Sequence, residues 1–215
     1  RLQVDYLDLY FCHRPDKDTP VHETVFAMND LIVQGKILYW GTSEWKANQL
    51  VEAYKVASKY GLRGPVMEQP EYNLFNRKNV EVNLKPIIDK YGLGTTIWSP
   101  LCSGMLTGKY QQGIPEKSRF NLDGYEWLKD RYNSDVGKAR IELVHQLQTI
   151  IQDLDCSLAQ ASIAWCAKNL DVSTVILGAT SVKQLKENLA SLAVIDQLSE
   201  QHMDAINRIF KVHWT

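Results

Sequence analysis

Residues 36–60 read KILYWGTSEWKANQLVEAYKVASKY, and this stretch contains the pattern that decides the fold. Residues 36–42 form a short apolar run that predicts a buried strand, and residues 48–60 predict a helix that ends at Gly61. The same order of strand and then helix recurs five times along the chain. Such alternation predicts an α/β fold in which helices cover a parallel sheet.

Further strands and helices are predicted on both sides of this stretch. We predict the other strands at 6–12, 66–69, 94–98 and 174–177. We predict further helices at 80–91, 157–169, 181–192 and 199–210, and one that starts with Thr19 as its cap and stops at Gly35. Residues 99–134 lack clear periodicity but are rich in aromatic side chains, so we predict an ordered lid or binding loop there.

The composition excludes several classes of protein. Of the 215 residues, 45% are hydrophobic and 23% are charged, which is typical of a globular protein and not of a disordered one. The net charge of −1 provides no basic surface for nucleic acid, and no apolar run approaches the roughly 20 residues that span a membrane. The first residues lack the pattern of a signal peptide, and the four cysteines are scattered, so we expect a cytoplasmic protein without a metal site.

Two parallel α/β folds fit the predicted order of elements: a doubly wound sheet and a (β/α)8 TIM barrel. The absence of a glycine-rich dinucleotide motif after any strand favours the barrel. Polar residues at the C-terminal ends of the strands also favour it, because those ends build one face of a barrel. These residues are His13, Ser43, Gln69, Ser99 and Thr180. Five units do not close a barrel, so we expect a partial barrel with strands 4–8, lacking three N-terminal strands, in a single domain over residues 1–215.

The segment from Gly178 to Ser181 follows a predicted strand and opens a helix, a position at which free backbone N–H groups attract anions. Ser181 and Gln184 have the spacing of a capping box. Gln184, Glu187 and Asn188 fall on one helical face, which suits a ribose or an adenine. A plain turn followed by a solvated helix has the same pattern, so this alternative stays open.

Four other side chains are candidates for chemistry, each with a plainer alternative. Lys109 and Arg119 can bind phosphate, although solvated surface cations look the same in a sequence. Trp98 ends a strand and can stack on a planar ring, or it can belong to the core. His13 can donate a proton or a hydrogen bond near pH 7, or it can be structural. No motif of a metal site or of a nucleophilic hydrolase is present.

Several long runs, in the right order, resemble the aldo-keto reductases from Leu2 to about Ile209. They are YLDLYFCHRPD, LIVQGKILYWGTSEW, EQPEYNLF, WSPLCSGMLTGKY and STVILGATSVKQLKENL. They are most similar to the branch that includes the voltage-gated potassium-channel beta subunits. The resemblance implies a (β/α)8 barrel with NADPH lying across the C-terminal face of its strands.

The resemblance also implies a role for each matching residue. His13 corresponds to the catalytic histidine that orients the substrate carbonyl. The residues implied at the nicotinamide are Ser43, Gln69 and Trp98, and those along the pyrophosphate are Ser99, Pro100, Leu101, Cys102 and Ser103. Lys109 and Arg119 correspond to basic residues near the phosphates. The residues implied at the adenosine and its 2′-phosphate are Gly178, Thr180, Gln184, Glu187 and Asn188. Lys109, Arg119 and Thr180 together favour NADPH over NADH.

The chain departs from the family pattern in two places. Glu44 replaces the Asn or Arg of many relatives, and because an acid cannot donate to the carboxamide oxygen, we exclude Glu44 from the cofactor-binding residues. The family's catalytic Tyr, Lys and Asp come from the first three strand units, which this chain lacks. We therefore expect this chain alone not to be a competent reductase.

Three functions remain open at this point. The first is NADPH-dependent reduction of aldehydes and ketones, which the presence of His13 favours. The second is a cytoplasmic regulatory beta subunit that binds NADP(H) and a potassium-channel alpha subunit. The third is an inactive fragment with open sheet edges. The resemblance also implies a homotetramer, and the sequence does not identify the carbonyl substrate.

Overall fold

The computed structural model describes residues 2–211. Its five strands are β1 (Leu7–Cys12), β2 (Ile37–Ser43), β3 (Met67–Gln69), β4 (Gly94–Ile97) and β5 (Thr174–Val175). Its helices are α1 (Val21–Val33), α2 (Ala47–Tyr60), α3 (Lys85–Tyr91), α4 (Glu126–Asn133), α5 (Asp135–Ile150), α6 (Leu158–Lys168), α7 (Val182–Leu189) and α8 (Glu200–Phe210). The alternation that the sequence predicts is confirmed.

The strands form one sheet in the order β1-β2-β3-β4-β5, and the pairs from β1 to β4 are parallel. Neighbours in the sheet are therefore neighbours in the sequence. A doubly wound sheet reverses its strand order at a switch point, whereas a barrel does not. The sequential order thus favours the barrel over the doubly wound sheet.

Several predicted helices differ from the observed ones. Thr19 does not cap α1, because its hydroxyl donates to Asp16 at 2.9 Å and Pro20 occupies the cap position. The helix predicted at 80–91 begins with a wider π-helical segment over Asn79–Leu84 and continues as α3. The helix predicted at 181–192 becomes a tighter 3-10 segment over Ala190–Val194 after α7.

The prediction that residues 99–134 form one long loop is wrong in part. This segment contains 3-10 turns over Cys102–Thr107 and Arg119–Asn121, and its last residues form α4. Helix α5 follows it and was not predicted, although Leu143, Val144 and Leu147 are buried at helical spacing. Ser134 caps α5 by accepting a hydrogen bond from the Gly137 N–H at 3.1 Å.

The chain divides into two compact units. The first contains the residues up to Glu71, Lys78–Trp98 and Asp171–Thr174, and the second contains Tyr72–Arg77, Ser99–Leu170 and the residues from Val175 onward. The single domain expected over residues 1–215 stays a prediction.

The core of the first unit lies between the sheet and the helices that cover it. Val25 of α1, Trp40 of β2 and Ala53 of α2 are fully buried in one cluster. Leu50 and Leu84 are fully buried in a neighbouring cluster with Trp45. Burial of these apolar surfaces fixes the positions of the strands, and the residues that follow the strands are fixed with them.

Candidate functional site

The C-terminal ends of β1, β2 and β3 are linked by hydrogen bonds in the first unit. Arg14 follows His13, and its guanidinium donates to the Ser43 hydroxyl at 3.0 Å and to the His13 carbonyl. The Ser43 hydroxyl in turn donates to the Gln69 carbonyl at 2.9 Å. His13 itself is exposed. Three of the predicted site residues are therefore held in one network.

The capacity of Ser43 for further hydrogen bonds is limited by this network. A hydroxyl has one donor and two acceptor positions. The donor of Ser43 is used toward Gln69, and one acceptor position is used by Arg14. The remaining position can accept from the amide of a carboxamide. The predicted contact of Ser43 with a nicotinamide stays a prediction, and it would require Ser43 to act as the acceptor.

Trp98 follows β4 and is half-buried, with its indole N–H directed at a carboxylate. The N–H donates to Glu44 Oε1 at 2.8 Å, and the same oxygen accepts from the Glu71 backbone N–H at 2.6 Å. Glu44 has a φ of 57°, a left-handed conformation that non-glycine residues rarely adopt. Strain of this kind is concentrated at functional sites.

A buried carboxyl group lies on the neighbouring strand. Glu68 of β3 is 0% exposed and accepts hydrogen bonds from the Thr42 hydroxyl and from the Trp45 N–H, the latter at 3.2 Å. Burial raises the pKa of Glu68 from 4.5 to about 7, against the lowering effect of these hydrogen bonds. The carboxyl group of Glu68 therefore titrates near neutral pH.

In the second unit, the segment after Trp98 is strained. Ser99, Cys102 and Ser103 have φ values of 57°, 46° and 55°. Each left-handed non-glycine residue costs about 1–2 kcal/mol. The Ser99 carbonyl accepts from the Asn73 amide at 3.0 Å and from the Cys102 N–H at 3.0 Å, and these bonds hold the turn. Of the other predicted residues here, Pro100 is buried and Leu101 is half-buried.

Two cations lie close together in the loop that follows. Desolvation lowers the pKa of Lys109, and the positive charge of Arg119 lowers it further. The Lys109 amine lies 4.9 Å from the Tyr110 ring centroid, and Arg119 Cζ lies 5.9 Å from the Tyr125 ring centroid. Within residues 2–211, neither Lys109 nor Arg119 forms an ion pair with a carboxylate. This pair of cations fits an anion.

Aromatic packing and a glycine fix this part of the loop. The rings of Tyr110 and Phe120 stack with centroids 4.1 Å apart, and the Tyr132 hydroxyl donates to the Tyr110 carbonyl at 2.8 Å. A Cβ at Gly104 would lie 2.8 Å from Lys109 Cε. Gly104 also has a φ of 91°, so a glycine lets the Lys109 side chain lie against this turn.

The predicted adenosine-binding residues lie at the start of α7. The capping box predicted for Ser181 and Gln184 is half formed, because Ser181 accepts from the Gln184 N–H at 3.2 Å but the Gln184 side chain binds elsewhere. Gln184 Oε1 accepts from the N–H and the hydroxyl of Thr180, at 2.8 and 2.9 Å. Asn188 is buried and donates to the Gly178 carbonyl at 3.4 Å, whereas Glu187 is exposed.

The predicted site residues fall into two groups. Those in the first unit are His13, Ser43, Gln69 and Trp98. Those in the second unit are Ser99, Pro100, Leu101, Cys102, Ser103, Lys109, Arg119, Gly178, Thr180, Gln184, Glu187 and Asn188. The role of each stays a prediction.

Two further residues of the first unit, Arg14 and Glu68, take part in these contacts but are not among the residues predicted from the sequence. Arg14 lies two residues after the end of β1, and this position is a signal that the sequence contains. Glu68 is an acidic residue inside a predicted buried strand, where an unpaired carboxylate would be costly. Glu44 was excluded as a ligand of the carboxamide, and its contact with Trp98 could not be predicted from its sequence position.

Among residues 2–211, no group of three or more His, Cys, Asp or Glu side chains is placed to hold a metal ion. No helix in the same range is long and apolar enough to cross a membrane.

Comparison with known proteins defines the class to which this fold and these residues belong. The sequence profile described as "Aldo/keto reductase family" matches residues 1–211. The chain belongs to the aldo/keto reductase family, and its five-stranded parallel sheet is part of the (β/α)8 barrel of that family.

Two relatives are similar over nearly the whole chain. A protein of Oryza sativa subsp. japonica named "Probable voltage-gated potassium channel subunit beta" is 50% identical over 210 residues, which cover 97% of this chain. A protein of Arabidopsis thaliana with the same name is 47% identical over 212 residues, which cover 98% of this chain. The chain spans 63% and 64% of the lengths of these two relatives.

Proposed function

We propose that the protein is an NADPH-dependent reductase of aldehydes and ketones. The observation that carries this proposal is a pair of loop cations, Lys109 and Arg119, neither of which forms an ion pair with a carboxylate within residues 2–211. The charge of Arg119 also lowers the pKa of Lys109, after the larger effect of desolvation. A bound anion would relieve their mutual repulsion, and a guanidinium can bind phosphate through two hydrogen bonds. The 2′-phosphate of NADP(H) provides such an anion, and NAD(H) does not.

Other residues of the chain support the same proposed function. When bound, NADPH supplies the hydride that reduces a carbonyl carbon. Ser43 would accept a hydrogen bond from the nicotinamide amide, and Trp98 would stack on the ring. His13 is exposed at the end of β1 and can donate a hydrogen bond to the carbonyl oxygen, where negative charge develops during reduction. The proton that completes the reduction would come from the catalytic tyrosine that the family resemblance implies.

The test is NADPH binding and NADPH oxidation by the purified full-length protein. We expect a Kd for NADPH below that for NADH, and loss of NADPH absorbance when a simple aldehyde is added. Binding without turnover of any tested aldehyde or ketone would contradict the reductase activity. Failure to bind either cofactor would contradict the whole proposal.

A second candidate function is a regulatory beta subunit of a voltage-gated potassium channel. The observation that favours it is the 50% and 47% identity to proteins with that name. The test is co-purification of the full-length protein with the cytoplasmic domain of a channel alpha subunit, with an unrelated reductase as the control. Under either function we expect a cytoplasmic protein, and a homotetramer is the assembly to test by light scattering.

A further inference from the structure

Glu44 and Trp98 are 54 residues apart in the sequence, yet their side chains are hydrogen-bonded. An indole N–H has one donor and no acceptor, so this contact uses its whole capacity for hydrogen bonds. The acceptor is a carboxylate oxygen, and hydrogen bonds to charged groups are about twice as strong as those between neutral groups. The contact therefore selects one orientation of the Trp98 ring about its side-chain bonds.

The carboxylate of Glu44 is itself held in place. Its Oε1 also accepts from the Glu71 backbone N–H at 2.6 Å. The turn that carries Glu44 is also stabilised by Glu68, whose carboxyl group accepts a hydrogen bond from the Trp45 N–H at 3.2 Å. The left-handed turn at Glu44, with its φ of 57°, is thus flanked by the hydrogen bond of its side chain to Glu71 and by that of the Trp45 N–H to Glu68.

We propose that Glu44 is a positioning residue, which fixes the indole of Trp98 in the orientation that receives the nicotinamide ring. This inference rests on the proposed NADPH-dependent function. Ordering a side chain on binding costs about 0.5–1.5 kcal/mol. A ring that is already ordered avoids this cost, so Glu44 strengthens cofactor binding without touching the cofactor.

The experiment compares Glu44→Ala, Glu44→Gln and the wild-type full-length protein. We expect Glu44→Ala to raise the Kd for NADPH by roughly 2- to 10-fold, which is the ordering cost converted into affinity. Glu44→Gln keeps an acceptor oxygen, so we expect its Kd to stay within about 2-fold of wild type. Glu52→Ala, which removes an exposed glutamate from α2, is the matched control.

Two readouts separate positioning from general stability. In NMR spectra of the protein without cofactor, the indole N–H resonance of Trp98 should move upfield in Glu44→Ala and less in Glu44→Gln; its assignment follows from its loss in Trp98→Phe. In the Trp98→Phe background, Glu44→Ala should no longer change the Kd, because the ring there has no N–H to fix.

The inference is overturned if the wild type binds NADPH and Glu44→Ala binds it equally well. It is also overturned if the Kd changes equally in the wild-type and Trp98→Phe backgrounds. These results leave the proposed function standing. Absence of NADPH binding by the wild type overturns the proposed function and the inference together.

Discussion

The hydroxyl of Thr42 donates a hydrogen bond to the carboxyl group of Glu68, its register partner on the neighbouring parallel strand. Both side chains are 0% exposed. A titratable group is thereby buried next to the turn that carries Glu44, since Glu68 also accepts from the N–H of Trp45, the residue after Glu44.

The first prediction concerns the pH dependence of stability. Burial raises the pKa of Glu68 from 4.5 to about 7 in the folded protein. Its contribution to the free energy of unfolding is therefore fully present below pH 4.5 and is lost as the pH rises through 7. The loss amounts to roughly 3 kcal/mol at most.

Glu68→Gln removes this titration. Denaturant unfolding at several pH values should show that the stability of wild type falls relative to Glu68→Gln between pH 4.5 and 7. Glu52→Gln is the control, and the difference between its stability and that of wild type should stay constant between pH 4.5 and 7. A constant difference between wild type and Glu68→Gln over that range would contradict the prediction.

The second prediction concerns Gly41 in β2. A Cβ at this position would lie 2.6 Å from the Met67 carbonyl oxygen and 3.0 Å from Phe11 Cε1. The backbone oxygen cannot move without disturbing the pairing of β2 with β3, so Gly41→Ala should destabilise the protein by about 1–3 kcal/mol. Thermal unfolding measures the effect. Gly178→Ala serves as the control, because a Cβ there meets no atom within 4 Å.

The third prediction concerns cofactor preference. Arg119→Ala should weaken NADPH binding by roughly 10- to 100-fold, which corresponds to the free energy of one hydrogen bond to a charged group. NADH binding should weaken by less. Titration with both cofactors measures the two losses. Lys117→Ala removes an exposed cation from the same loop and should not change the preference. Equal losses for NADPH and NADH would refute the role of Arg119 at the 2′-phosphate.

The fourth prediction concerns His13. If its imidazole stabilises the carbonyl oxygen during reduction, His13→Ala should lower kcat by about 100-fold or more while the Kd for NADPH stays the same. Steady-state kinetics and cofactor titration measure the two effects. His22→Ala, an exposed histidine on α1, is the control. A His13→Ala protein with wild-type kcat would exclude the catalytic role.

Elements with a clear apolar period could be predicted from the sequence. Trp40 and Leu50 mark β2 and α2 because burial on one side leaves a periodic pattern. Helix α4 could not be predicted this way, since Leu128 is its only buried residue in eight. A pattern needs more than one buried position before a period can be measured.

The candidate site also has features that could be predicted from the sequence and features that could not. Residues at the ends of strands, such as His13 and Ser43, could be predicted because the C-terminal ends of parallel strands share one edge. Contacts between side chains could not be predicted, because they depend on the φ values of the backbone and on the rotamers of the side chains. The left-handed turn at Glu44 directs its carboxylate to Trp98, and nothing in the order of residues indicates that direction.

The sequential strand order has a consequence for how the sheet assembles. Leu7 pairs with Ile37, Gly41 with Met67, and Met67 with Gly94, so these pairings join residues 30, 26 and 27 positions apart. Each of β2, β3 and β4 pairs with the strand that precedes it in the chain, so the sheet can grow in the direction of synthesis. The contact of Thr95 with Ser173 joins residues 78 positions apart, so it has a larger loop-closure entropy than these three pairings and is expected to form after them.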